Sequence, residues 1–267
     1  MLVKTSIELE MNSKHILGEG SAAVVYSYEN DKAVKVCRYG TADYEFQVNQ
    51  LLMKKGIRVP IAYEIVKLDG KDGIVFEKIE GTSLTSTMMK GPLSMLQSLK
   101  LMARLQADFH TKSGVSLKSQ RHGLKRNIDE VNLRRTEKDM ILKVLAKLPE
   151  GDLLCHGDFH PDNILCTTRG PIIIDWADAS AGHPIADLAR TLLLLKYGGM
   201  KKRRGSLEVI RNWISMVYAC EYRKHHSFSL QELKNWELPV AAARLTESIP
   251  HYEKVRLLSI IRSHLKK

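Results

Sequence analysis

Apolar residues in the first 80 positions come in short runs, Ala22 to Tyr28, Ala33 to Cys37, Ile61 to Leu68 and Gly73 to Ile79. Turn-forming stretches at Glu29-Asn-Asp31 and Asp69-Gly70 separate them, and runs of this length between turns predict strands. One stretch differs: from Ala42 to Lys55, Phe46, Val48, Leu51, Leu52 and Met53 recur at helical spacing and stop near Gly56, before Pro60, so a helix is expected there. Beyond Gly81 the period lengthens. Helices are expected over Met95 to His110, Asn127 to Leu148, Pro184 to Leu195, Ser206 to Arg223 and Pro239 to Leu265. Within Leu153 to Trp176, two short apolar pieces, Ile164 to Cys166 and Ile172 to Ile174, flank Thr168-Arg-Gly-Pro171 and predict a β-hairpin. The pattern as a whole predicts an α+β, bilobal chain: a small β-rich N-lobe over residues 1–80 and a larger, mostly helical C-lobe over 81–267, joined near Lys78 to Thr82. A seam between two such lobes is a natural place for a ligand cleft.

Composition narrows the class without choosing the chemistry. A 267-residue chain with 44% hydrophobic residues has ample material for a packed core. Met1 to Glu10 carries Lys4, Glu8 and Glu10 rather than an apolar leader, and Leu192 to Leu195 is far too short to cross a bilayer. A soluble, cytoplasmic protein with no membrane partner is therefore expected. Cys37, Cys155, Cys166 and Cys220 show no CxxC spacing and read as reduced thiols. The net charge of +11 suits an anionic partner, whether nucleic acid, nucleotide or phosphorylated metabolite.

Candidate chemistry begins at Gly18-Glu-Gly20-Ser21, where missing side chains at a strand-turn-strand would let backbone amides approach phosphate oxygens. A plain β-turn would look the same, and Ala23 stands where a kinase loop has its third glycine. Lys35 follows in Ala33-Val-Lys-Val36, an otherwise apolar strand, and matches a lysine that reaches the α- and β-phosphates. Such a lysine needs an acidic partner. Glu45 on the following helix is preferred over Asp43, because it faces inward with the apolar stripe. The densest signal is His156-Gly-Asp158-Phe-His160-Pro-Asp-Asn163, followed by Ile172-Ile-Ile-Asp175-Trp176. A carboxylate, an amide five residues later and a second carboxylate ending an apolar strand are the parts phosphoryl transfer requires: one group to orient an acceptor hydroxyl and two ligands for Mg²⁺. The histidines His156, His160 and His183 lack zinc spacing; His156 is expected to orient the loop and Trp176 to pack.

These motifs together resemble the aminoglycoside phosphotransferase and choline kinase group of kinase-like small-molecule phosphotransferases. The resemblance covers nearly the whole chain, from Gly18-Glu-Gly20 through His156-Gly-Asp158 and Ile174-Asp175-Trp176 to Pro184-Ile-Ala-Asp187-Leu-Ala. It implies a protein-kinase-like fold and a phosphotransferase using ATP, with GTP not excluded, and Mg²⁺. It further implies Asp158 as catalytic base, Asn163 and Asp175 as Mg²⁺ ligands, and Lys35 holding phosphates. The adenine would be received near Glu77 to Ile79, and Asp187 would brace the catalytic loop.

From Asp175 the chain is helical again by about Ile185, which leaves no room for the long segment with which a protein kinase presents a peptide. A small-molecule hydroxyl acceptor is therefore expected. Residues 188–267 hold 16 Lys and Arg against 6 Asp and Glu, which favours a neutral or anionic acceptor over a polycation, although these charges also suit a solvated outer face. A second class stays open: a nucleotide-binding, weakly catalytic kinase-like module that binds nucleic acid. Its support is thin, with 6% aromatic residues and no base-stacking motif. The acceptor expectation is checked by ADP release across a panel: sugars, nucleosides or phosphorylated metabolites should be turned over faster than kanamycin or neomycin, and the reverse order defeats it.

Overall fold

Period-two alternation decides how the early strands pack. In the computed structural model, which describes residues 5–6, 15–20, 22–39, 42–202 and 205–266, six strands form one sheet. They are β1 (Thr5–Ser6), β2 (Ile16–Glu19), β3 (Ala23–Tyr28), β4 (Lys32–Cys37), β5 (Ala62–Leu68) and β6 (Lys71–Glu77), in the order β1-β5-β6-β4-β3-β2. β1 runs parallel to β5, and the other pairs are antiparallel. Val34, Val36, Val66, Leu68 and Val75 are buried together with Tyr26 and Tyr28 against them. Their neighbours along the strands, Ile65 and Ile74, point the other way and pack with Ala42, Phe46 and Ala62. That second face is covered by helix α1 (Asp43–Lys54), which buries Glu45, Phe46, Val48, Asn49 and Leu52 along one stripe. Lys35 has the parity of Cys37, so its side chain lies on the α1 face.

The expected hairpin forms as β9 (Ile164–Thr167) and β10 (Gly170–Ile173), with Ile173 opposite Ile164. It joins β7 (Thr82–Ser83) in a three-stranded sheet, and the Ile173 amide donates to the Arg58 carbonyl at 3.2 Å. By its contacts Asp162–Asp178 thus belongs with Met1–Leu84 in one compact unit, while Thr85–Pro161 and Ala179–Lys267 make a second.

The second unit is mostly helical: the short α2 (Leu84–Met88) leads into α3 (Pro92–Phe109), α4 (Gln120–Glu130) and α5 (Arg135–Lys147), and later come α6 (Pro184–Tyr197), α7 (Gly205–Arg223), α8 (Leu230–Arg244) and α9 (His251–Leu265). Eleven of the 14 residues of α6 are buried, so it is the core helix on which α7 and α8 pack. No helix among the described residues is long and apolar enough to cross a membrane.

Two helix boundaries differ from the sequence expectation. The single helix expected over Asn127 to Leu148 is α4 and α5, because Val131 and Arg134 are extended and the Glu137 carboxylate accepts the Arg134 amide at 3.1 Å, starting a new helix. Apolar spacing runs on through Val131 and Leu133, which hid the break. Likewise Pro239 does not begin a helix but sits inside α8, which starts where the Ser229 hydroxyl accepts the Glu232 amide at 3.0 Å. The real break precedes Pro250, which opens α9. A further pair, β8 (Leu153–Cys155) with β11 (Ser180–Gly182), was too short to leave a pattern.

Gly81 is where β7 approaches β9 most closely: a Cβ there would lie 2.7 Å from the Cys166 carbonyl oxygen. Gly81→Ala should therefore lower stability by about 1–3 kcal/mol. A urea midpoint equal to wild type would show that this backbone approach is not constrained.

Candidate functional site

A cavity of about 400 Å³ opens within the first unit, a volume suited to a nucleotide-sized molecule. Leu17, Val25, Ala33, Phe76 and Leu165 supply apolar walls, and Gly18, Lys35, Glu45, Glu77, Ile79, Asn163 and Asp175 also line it. Seven of the residues singled out from sequence therefore meet at one surface. Gly20 is not among them: its amide donates to the Ala23 carbonyl at 3.0 Å, closing a tight turn. Ser21 lies outside the described residues.

Lys35 is the electrostatic centre of the cavity. Its Nζ donates to Glu45 Oε1 at 2.6 Å and to Asp175 Oδ1 at 2.7 Å. Glu45 is thus the carboxylate of α1 that holds the lysine. Burial works against the Lys35 charge, but the two carboxylates outweigh it and raise the ammonium above its ordinary range, so the side chain is charged. Asp175 reaches this position with φ +61°, a left-handed conformation that a non-glycine residue adopts at a cost of about 1–3 kcal/mol. Its side chain is 45% exposed. Asn163 is buried beside it in the chain's hydrogen bonding, since the Ile174 amide donates to the Asn163 carbonyl at 3.0 Å. Two hard oxygen-bearing side chains fixed to one cavity fit a divalent cation such as Mg²⁺. Glu77 Oε1 accepts from Arg169 Nη2 at 2.6 Å, which ties the hairpin turn to the end of β6.

Asp158 belongs to the second unit, on the loop that follows β8. Gly157 turns that loop with φ +85°, a conformation suited to glycine. Asp187, fully buried on α6, braces it: Oδ1 accepts the Gly157 amide at 2.7 Å and Oδ2 accepts the His156 amide at 3.3 Å. Behind Asp187 stand His110 Nε2 at 3.1 Å and Gln106 Nε2 at 3.1 Å, and Tyr222 Oη lies 2.6 Å from His110 Nδ1. A carboxylate only accepts, so the ring nitrogen facing it is the donor. Burial alone would raise the Asp187 carboxyl, but the His110 hydrogen bond and the Gly157 amide hold it below the ordinary value.

Asp158 is also held as a carboxylate. Burial is opposed by the hydrogen bond from His160 and by the Arg190 charge, so its carboxyl lies well below the usual range. His160 Nε2 is 3.4 Å from Oδ2, and Arg190 Nη2 donates to Oδ1 at 3.2 Å. Arg190 was missed in the sequence reading. Its one available signal is position: it stands one helical turn after Asp187 on a helix otherwise nearly free of charge.

Both Asp158 and Asp187 have lowered folded pKa values, so they stabilise the fold above the unfolded value of 3.8 and that contribution is lost as pH falls below it. Asp187→Asn should be destabilised by about 2 kcal/mol or more at pH 7. Its stability should also fall less steeply than wild type below pH 3.8, as followed by urea unfolding across pH. Parallel acid limbs in the two proteins would contradict the ionised state assigned to Asp187.

Comparison with known proteins places this geometry. Acyl-CoA dehydrogenase family member 11 of Pongo abelii is 23% identical over 212 residues, which are 67% of this chain and 27% of that protein, so the chain spans little more than a quarter of the length of that relative. A thermostable mutant of aminoglycoside phosphotransferase APH(4)-Ia, in ternary complex with ADP and hygromycin B, superposes with a TM-score of 0.67 at 16% identity, covering 94% of this chain and 93% of that one. Amicoumacin kinase hAmiN, in complex with AMP-PNP, Ca²⁺ and Ami, gives a TM-score of 0.62 at 15% identity, covering 98% and 89%. At these identities the likeness speaks to fold, and the fold is the α+β kinase-like one expected from sequence. Residues 17–210 match the phosphotransferase enzyme family, APH, over most of the chain, and the chain is a member of that family.

Proposed function

We propose that this phosphotransferase moves the γ-phosphoryl group of ATP to a hydroxyl of a small molecule, with Mg²⁺ bound. The observation that carries this reading is the set formed by Lys35, Glu45, Asn163 and Asp175 on one nucleotide-sized cavity. The apolar walls suit a purine, with the chain at Glu77 to Ile79 along its edge, and Gly18 and Lys35 suit the phosphates. Lys35 has three donors; two serve Glu45 and Asp175, and the third would serve a phosphate oxygen. Support for a nucleotide also comes from the relatives of the same fold that were crystallised with ADP or AMP-PNP.

Asn163 and Asp175 would hold Mg²⁺, which when bound offsets the charge that builds on the phosphoryl oxygens. The remaining work falls to the protein's own groups. Asp158 accepts a hydrogen bond from the acceptor hydroxyl and aligns it for in-line attack. It takes the proton late, once the hydroxyl oxygen has bonded to phosphorus. Asp187 keeps the loop amides of His156 and Gly157 in place, and so keeps Asp158 in register. A neutral or anionic acceptor fits the basic 188–267 region better than a polycation. Asp158→Asn should lower turnover by about 100-fold or more while nucleotide affinity, read by calorimetry with MgADP, stays within a factor of about two. Turnover near wild type in that variant would remove Asp158 from the role of base.

A further inference from the structure

Asp158 accepts from the Arg190 guanidinium in its own unit, and that cation is anchored from behind. The Arg190 side chain is 15% exposed. Its Nη2 donates to Asp158 Oδ1 at 3.2 Å and to Glu247 Oε2 at 3.1 Å, and its Nη1 donates to Glu247 Oε1. Glu247 in turn accepts from Arg244 Nη1 at 2.7 Å. Arg244 Nε donates to Glu253 Oε1 at 2.7 Å, and Glu253 Oε2 accepts the Gly199 amide at 3.0 Å. Arg244 and Glu253 are both buried. Alternating charges therefore run from α9 through the end of α8 to α6, and they end on the carboxylate of Asp158.

Desolvating such a series costs several kcal/mol per ion, and apolar packing would stabilise the same helices at least as well. Stability alone does not explain the arrangement. Two consequences of the geometry do. The forked guanidinium, itself fixed by Glu247, sets the orientation of the Asp158 carboxylate. It also places a full positive charge beside the carboxylate, whose side chain is 28% exposed and so reachable by a ligand. An acceptor bearing an ammonium close to that guanidinium would be repelled by it, to an extent the Glu247 and Asp158 carboxylates reduce.

We propose that Arg190 is a positioning residue for Asp158 and that, by its charge, it selects against acceptors carrying a cation beside the reacting hydroxyl. The inference rests on the reading of Asp158 as the group that orients the acceptor. It locates acceptor selection in one residue rather than in the bulk charge of the helical unit.

The test measures ATP-dependent ADP release with water alone and with three small alcohols of different charge: choline, glycerol and glycerate. Wild type is compared with Arg190→Gln, Arg190→Lys and a double variant, Lys201→Gln with Lys202→Gln, which removes two exposed charges. Arg190→Gln should lower kcat with water and glycerol by about 10-fold or more while KM for ATP is unchanged. It should raise the choline-to-glycerol ratio of kcat/KM by about 10-fold. Arg190→Lys keeps the charge and loses the fork, so its ratio should stay at the wild-type value while kcat is restored only in part. The double lysine variant should change neither quantity. Wild-type kcat and an unchanged ratio in a folded Arg190→Gln protein overturn the proposal. Should that variant not fold, wild-type kcat in Arg190→Lys overturns the positioning role instead. Asp158→Asn run alongside separates the two failures: full turnover there defeats the reading of Asp158, whereas an inactive Asp158→Asn beside an unaffected Arg190→Gln defeats this inference alone.

Discussion

A single ammonium shared by two carboxylates organises the first unit. Lys35 comes from β4, Glu45 from α1, and Asp175 from a segment 140 residues further along. Taking the Lys35 and Glu45 charges out of water is unfavourable, and each becomes tolerable when its partner is in place, with the more exposed Asp175 as the second partner of the lysine. The sheet, the helix on its inner face and the distant hairpin are thereby required to meet at one point. The same requirement explains why Asp175 sits in a left-handed conformation: its carboxylate must turn back toward the lysine straight after the last hairpin strand.

The second unit uses one buried carboxylate in a comparable way. Asp187 sits on a helix that is almost wholly apolar, and its two oxygens gather loop amides on one side and the Gln106 and His110 side chains on the other. An unpartnered carboxylate there would be prohibitively costly, so the loop holding Asp158 is defined by the need to satisfy Asp187. Tyr218 and Tyr222 extend the network through Gln106 and His110. Buried polar networks of this kind are rigid when every member is satisfied, and that rigidity extends to the loop carrying Asp158.

The reach of the sequence can be judged residue by residue. Strong periodicity made α1, α3, α6 and α7 legible, and turn residues with the right conformational freedom marked the hairpins: Glu29, Asp69 and Gly70 all have positive φ. Breaks between helices were harder to see. At Val131 to Arg134 the apolar spacing continues across the gap, and the signal that starts the next helix is the Glu137 carboxylate accepting the Arg134 amide, which periodicity does not register. Pro239 misled for the opposite reason, since a proline inside a helix costs one backbone bond that tertiary packing of α8 offsets.

By itself the sequence determined which chemistry was possible. Lys35 was legible because a charged side chain stands out in an otherwise apolar strand, Asp158, Asn163 and Asp175 because they follow it in a fixed order and spacing, and Glu45 because it falls on the inward stripe of a helix. Those are local signals. Only the tertiary structure decided that Glu45 and Asp175 share Lys35, that the 162–178 segment packs with the first 84 residues, that the Gly20 amide is used within its own turn, and that Arg190 rests on Asp158 with Glu247 behind it. Ion pairs between residues 32, 57 or 140 positions apart leave no periodic trace, because they depend on which faces the packed core turns toward one another.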